Sequence, residues 1–305
     1  MAARGERCAA ILGTGRMGSA MARRLAAAGF RVYLWNRTLG KAEVLAAEIG
    51  GVAVEEPRAA AERCRRVHLV VADDEAVYEV LTGLGGLVAG GKELGDVRVY
   101  NHVTMTPRGS LEAMRLVERA GGVYVEAPVA GNPGNALEGR LLILCASRHG
   151  EVVCRDEALE ALGTPVYLGE PPVAAAAKLG FNIFFLGVVA AMGEAMALAE
   201  SYGLDADRFL GEVIGRTWLR QIVERYGARI KPRGEASFTA RLAGKDARYA
   251  ARALQERGVP GFLASAVASY YALMSHEGYG DEDYPAIAGF LAEYARRSRE
   301  PRTTA

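Results

Sequence analysis

Directly after the apolar run CAAIL (8–12) the chain reads Gly13-Thr14-Gly15-Arg16-Met17-Gly18. It continues into the helical pattern SAMARRLAAAG and then a second apolar run, RVYLWN (31–36). No other stretch restricts the fold as much. Glycine at the first position allows a tight turn, and at the second it lets backbone approach a pyrophosphate. At the third it lets the helix pack on the strand, while the helix N-terminus offers amide donors and the positive end of its dipole to phosphates. A lone G-x-G-x-x-G is weak in a chain with 37 glycines. Strand, motif, helix and second strand within roughly 30 residues supply the context that makes it a dinucleotide site. Gly13, Thr14, Gly15, Arg16, Met17 and Gly18 are therefore expected at the cofactor.

The end of the second strand selects the dinucleotide. NAD sites usually place Asp or Glu there, on the ribose hydroxyls. This chain has Asn36-Arg37-Thr38. An acid would repel a 2′-phosphate, whereas an arginine fork and a threonine hydroxyl bind one. NADP is the expected cofactor.

Further β-type runs fall at 67–72, 97–102, 123–127, 140–146 and 165–169, mostly separated by alanine- and arginine-rich helical segments. Such alternation predicts βαβ units, a mainly parallel sheet and helices on both faces. After GEPP (169–172) the pattern is helical, with breaks at SYGLD, RGVPG and HEGYGDEDYP. The expected domains are 1–169 (α/β) and 170–305 (all-α), in keeping with roughly 150 residues per domain.

Composition narrows the function class. Charged residues are 24% of the chain and the formal net charge is +1, so no basic face suggests nucleic acid as a partner and there is no acidic tail. The N-terminus lacks the apolar core and cleavage site of a signal peptide. Cys8, Cys64, Cys145 and Cys154 form no CxxC pair and no metal-ligand spacing with histidine. They read as scattered reduced thiols in a cytoplasmic protein without a metal.

One segment raises a question of its own. AAAAKLGFNIFFLGVVAAMG (174–193) is apolar except for Lys178 and Asn182. Between Lys178 and Glu194 lie only 15 residues, fewer than the roughly 18 to 20 of a membrane span, so a buried helix is expected. Lysine in such a run either snorkels from a helix end or is held there for a purpose.

Taken in order, the blocks GTGRMGSAMARRL, NHVTMTP (101–107), EAPVAGNPGNALEGRL (126–141), AKLGFN (177–182), GKDARYA (244–250) and GYGDEDYPAI (278–287) resemble those of the β-hydroxyacid dehydrogenase family. That family includes 3-hydroxyisobutyrate dehydrogenases and glyoxylate/succinic semialdehyde reductases, and the resemblance spans nearly the whole chain. It implies a Rossmann-type N-terminal domain and an all-α C-terminal domain joined by a long helix, in the 6-phosphogluconate dehydrogenase-like arrangement. The active site is expected in the cleft between them, with that helix as one wall.

The family's catalytic lysine and its asparagine partner fall on Lys178 and Asn182. Hydride transfer from an alcohol needs a base for the hydroxyl proton, and the reverse needs an acid. Desolvation moves a lysine toward that work, and a residue four further on shares its helix face. The resemblance also places Ala130, Gly131 and Asn132 at the substrate carboxylate and Thr104 near the nicotinamide. Lys245 and Phe238 are expected at the cofactor, and Val71, Ala72 and Asp73 beneath the adenosine-side ribose. His102 is the histidine nearest the expected cleft.

The chain departs from the family where Ala130-Gly131-Asn132 replaces a commoner Ser-Gly-Gly, removing a hydroxyl donor to the carboxylate. Asn101 and Val103 stand where aspartate and serine are commoner, and EPPVAAAA lacks glycines that many relatives carry. The implied activity is NADP-dependent oxidation of a small 3-hydroxy acid of the 3-hydroxyisobutyrate, serine or 3-hydroxypropionate type, or reduction of the matching semialdehyde or glyoxylate. An imine reductase and a non-catalytic cofactor-binding module are the alternatives. The apolar helices of the second half point to a homodimer or homotetramer.

Overall fold

The computed structural model describes residues 7–231 and 236–297. It divides into two compact units, Met1–Lys178 and Leu179–Ala305.

The first unit is built on β1 (Cys8–Leu12), β2 (Arg31–Trp35), β3 (Val52–Ala53), β4 (Arg66–Leu69), β5 (Arg98–Asn101), β6 (Val123–Glu126), β7 (Val129–Ala130), β8 (Leu141–Ala146) and β9 (Gly163–Gly169). They form one sheet in the order β3-β2-β1-β4-β5-β6-β8-β7, with β9 paired to β8. Neighbours from β3 to β6 run parallel, β8 is antiparallel to β6 and β7, and β9 is parallel to β8. β1 is buried at every residue, as a central parallel strand covered on both faces must be. Its Ala9 and Ile11 join one core with Leu25 and Leu34, while Ala10 and Leu12 join another with Leu69 and Leu81. β3 and β7 were missed in the sequence because two residues carry no periodicity.

Strand order reverses at β1, between β2 and β4. Ligands of open α/β sheets bind beyond the carboxyl ends of the strands at such a switch point. The first glycine loop therefore lies where the topology places a ligand.

A 29-residue helix, Val173–Ser201, follows β9. Compactness divides the chain inside it, after Lys178, rather than near residue 169. By length and composition alone the helix is long and apolar enough to cross a membrane, yet half of its most apolar window is buried within the protein. It is longer than the apolar stretch after Lys178 because Val173 and four alanines precede that lysine and the helix continues past Glu194 to Ser201.

In the second unit the later part of this helix shares a core with the helices Ala240–Gln255, Phe262–Met274 and Ala286–Arg297, through Leu186, Val189, Ala243, Val267 and Ile287. A side chain at Gly193 would stand 2.9 Å from the Ala288 Cα, so glycine is needed for that approach. Among the described residues this unit has a single isolated bridge, Thr239 with Asp283, and no strand.

The four cysteines are paired, Cys8 with Cys64 and Cys145 with Cys154. This corrects the expectation of reduced thiols. Partners 56 residues apart give no sign in the sequence that folding brings their Cα atoms to 5.8 Å. A cytoplasmic location loses the support it drew from those thiols.

Candidate active site

The glycine loop meets the steric demands of its motif. Gly13 has φ +111°, and a Cβ there would lie 2.3 Å from the Val70 carbonyl oxygen. A Cβ at Gly18 would stand 1.9 Å from the Gly13 oxygen, whereas the one at Gly15 would meet nothing within 4 Å. The middle glycine thus faces open space at the mouth of the helix Arg16–Ala27, whose N-cap makes no side-chain hydrogen bond. The Thr14 hydroxyl is buried without a partner. A helix start without a side-chain cap, an open cradle and an orphaned hydroxyl together fit a dinucleotide pyrophosphate.

At the end of β2, Asn36 Oδ1 accepts from the Thr14 amide at 3.2 Å and Asn36 Nδ2 donates to the Thr38 carbonyl at 3.1 Å. Asn36 therefore braces the glycine loop against the β2 turn. Arg37 and Thr38 are exposed, and the Thr38 side chain makes no cap bond to the helix Leu39–Ile49 that it precedes. Past β4, Val71 and Ala72 lead to Asp73, whose carboxylate caps the helix Asp74–Thr82 by accepting from the Ala76 amide at 2.9 Å.

In the 101–107 block Thr104 is half-buried while its neighbours are spent on structure. His102 donates from Nδ1 to the Ala127 carbonyl oxygen at 2.7 Å and faces His68 Nδ1 at 2.8 Å. It is a satisfied core histidine with both ring nitrogens committed.

β7 ends on half-buried Ala130, and the loop after it holds exposed Gly131 and Asn132. Gly131 has φ +144°, and a Cβ there would come within 2.8 Å of Leu141 Cδ2. Asn132 caps the helix Pro133–Leu137 reciprocally with Asn135, each backbone amide donating to the other's Oδ1 at 3.0 Å. The Asn132 amide is thus already bonded, and its Nδ2 is the donor that the cap leaves over.

Lys178 and Asn182 lie one turn apart on the long helix, 9% and 2% exposed. Asn182 Nδ2 donates to Asp246 Oδ2 at 2.5 Å. The other oxygen of Asp246 stands 3.0 Å from Lys245 Nζ, which also lies 5.0 Å above the Tyr249 ring. Bonding at Nδ2 fixes the amide orientation and leaves Asn182 Oδ1 buried with no partner. Asp246 was missed in the sequence because nothing local marks it out; only its contact with Asn182 shows it to orient that amide. Phe238 stacks edge-on with Phe185 and Tyr284.

A second missed residue is Glu126, 1% exposed, which accepts through Oε2 from the amides of Ala174 and Ala175. It caps the helix that carries Lys178.

Residues 9–169 match the family described as the NAD binding domain of 6-phosphogluconate dehydrogenase, and 173–291 match the NAD-binding domain of NADP-dependent 3-hydroxyisobutyrate dehydrogenase. Glyoxylate/succinic semialdehyde reductase 2 of Arabidopsis thaliana is 29% identical, over 95% of this chain and 80% of its own length. Mitochondrial 3-hydroxyisobutyrate dehydrogenase of Mus musculus is 26% identical, over 93% of this chain and 86% of its own. Among solved structures, Mycobacterium tuberculosis 3-hydroxyisobutyrate dehydrogenase with L-serine superposes with a TM-score of 0.76 at 25% identity, covering 94% of this chain and 99% of that one. With its glycine loop, its switch-point topology and these matches, the chain belongs to the β-hydroxyacid dehydrogenase family and is an NAD(P)-binding oxidoreductase acting on CH–OH groups.

Proposed function

We propose that the protein is an NADP-dependent dehydrogenase that interconverts a small 3-hydroxy acid and its carbonyl partner, with Lys178 as the general acid–base. The observation that carries this is a lysine buried near the start of a capped helix, one turn from a buried asparagine whose amide Asp246 orients. Bound NADP supplies the hydride acceptor. Lys178 takes the hydroxyl proton during oxidation and returns it during reduction. Asn182 Oδ1, buried and without a partner, holds either the lysine ammonium or the substrate hydroxyl. Arg37 and Thr38, exposed at the end of β2, support the preference for NADP over NAD. On the loop after β7, Asn132 Nδ2 supplies a donor to the substrate carboxylate in place of the hydroxyl that Ala130 lacks.

The test is nicotinamide reduction with NADP and NAD across a panel of 3-hydroxy acids, beside Lys178→Met. Turnover preferring NADP, lost in the variant while NADPH still binds, is expected. No reaction with any hydroxy acid or aldehyde would sink the proposal. A second reading, imine reduction, is favoured by one observation: Ala130 offers no hydroxyl and the Asn132 amide is taken by Asn135. A cyclic imine belongs in the panel for that reason.

The exposed Phe184, Trp218, Phe262 and Leu263 of the helical unit support assembly into a homodimer or homotetramer. Light scattering tests it, and a monomer at micromolar concentration would refute it.

A further inference from the structure

The end of β5, the helix Pro107–Arg119, β6 and the first turn of the long helix are linked by one buried chain of side-chain hydrogen bonds. Asn101 Oδ1 accepts from the Val103 amide at 3.1 Å, which orients the carboxamide. Its Nδ2, 2.9 Å from the Met105 sulfur, donates to the Tyr124 hydroxyl at 2.7 Å. Tyr124 and Ser110 hydroxyls are 2.9 Å apart, and Ser110 Oγ lies 2.5 Å from Glu126 Oε1. Glu126 Oε2 accepts from the amides of Ala174 at 2.9 Å and Ala175 at 3.3 Å. Asn101, Ser110, Tyr124 and Glu126 are each at most 2% exposed, so bulk water cannot mend a missing partner.

Counting protons gives the chain a direction. Asn101 fills the Tyr124 oxygen with an N–H, so the phenol proton goes to Ser110 and the serine proton to Glu126. Every hydroxyl proton then has an acceptor, and only an ionised Glu126 closes the count. A protonated Glu126 would give its proton to Ser110 and turn the serine proton toward Tyr124, leaving the phenol proton stranded. Burial pushes the Glu126 carboxyl above its ordinary range, opposed by Ser110 and the two helix amides.

We propose that Asn101 and Glu126 act as a positioning pair, the one-way order Asn101 to Tyr124 to Ser110 to Glu126 fixing the first turn of the helix that presents Lys178. Lys178 follows Ala174 by four residues and Ala175 by three, so it shares a helix face with the pinned turn. Helical side chains lean toward the N-terminus, which lays the lysine stem over that turn. The role rests on Lys178 being the acid–base proposed above.

The polarity gives a specific test. Asn101→Asp puts an acceptor at both ends of the chain, and the Tyr124 and Ser110 oxygens then face each other with no proton between them. Glu126→Gln puts a donor at both ends, and one hydroxyl proton is stranded. Combined, the two substitutions reverse the chain. The new carboxamide at position 126 then donates to Ser110, Ser110 to Tyr124 and Tyr124 to the new carboxylate at position 101, and every group is again paired.

Each single variant is expected to lose about tenfold in kcat and to melt several degrees lower, with the KM for substrate and the Kd for NADP within about threefold of wild type. The double variant should recover most of both losses. If Glu126→Gln alone does not fold, recovery of folding and of kcat in the double variant supports the proposal, and a double variant that also fails overturns it. Additive losses overturn the polarity, and lower melting with unchanged kcat reduces the pair to scaffolding. Melting temperatures read the non-additivity without reference to catalysis. A fully active Lys178→Met would therefore sink the lysine role and leave the polarity judged on its own.

Discussion

Acid should destabilise this protein through the buried pair His68 and His102, by an amount that follows from their geometry. The Ala127 carbonyl only accepts, so His102 Nδ1 carries the proton in their 2.7 Å bond. While His102 is neutral its Nε2 accepts, so His68 places its own proton on Nδ1 to span the 2.8 Å between them. His68 Nε2 is left a bare, fully buried acceptor. A proton on His102 Nε2 would set two donors face to face, and a proton on His68 would place a charge where nothing receives it.

Burial accordingly holds His102 down to about 4, against the opposing pull of the Ala127 carbonyl. It holds His68 well below 6.5, with His102 and Arg66 adding repulsion. Both folded values lie below the unfolded ones, so the unfolded chain takes up protons first. The contribution of this pair is constant above pH 7 and is lost as pH drops through 6.5; the His102 share of the loss levels off below about 4. From 6.5 to about 4 is 2.5 units, which at about 1.36 kcal/mol per unit is about 3 kcal/mol for His102, and His68 adds in the same direction. Guanidinium unfolding followed by circular dichroism at pH 7, 6 and 5 reads the slope above the ordinary carboxylate range; Glu126, raised by burial, acts in the opposite direction there, so the slope is compared with that of a variant lacking the pair. A His68→Phe/His102→Met variant should flatten it. A variant that keeps the wild-type slope would refute this account.

Three further outcomes can be measured. Gly18→Ala forces a Cβ onto the Gly13 carbonyl 1.9 Å away, so dinucleotide binding should disappear in calorimetry and the melting temperature should fall; intact binding would contradict the loop geometry. Arg37→Ser should raise the KM for NADP roughly 10- to 150-fold, the loss of about 1.5–3 kcal/mol expected for hydrogen bonds to a charged group, and leave the KM for NAD unmoved. Equal effects on both cofactors would remove Arg37 from the 2′-phosphate. Asp246→Asn leaves Lys245 without its carboxylate 3.0 Å away and frees the Asn182 amide to turn, so kcat should drop about tenfold; unchanged kinetics would make Asp246 a packing residue.

The α/β first half, the helical second half and the cofactor loop are legible in the order of residues alone. Each rests on local signals: glycines at fixed spacing, apolar runs of strand length, and a lysine and an asparagine four residues apart in a helical pattern. Local chemistry repeats along the chain and can be read along it. Whatever depends on partners distant in sequence came from folding. It paired Cys8 with Cys64 and bound His102 to His68. It also gave Asp246 an asparagine 64 residues away and set Glu126 against the start of a helix 48 residues on. A buried polar group is defined by whatever completes its hydrogen bonds. For these residues the completing group lies across the sheet or on another helix, where no periodicity of the chain points.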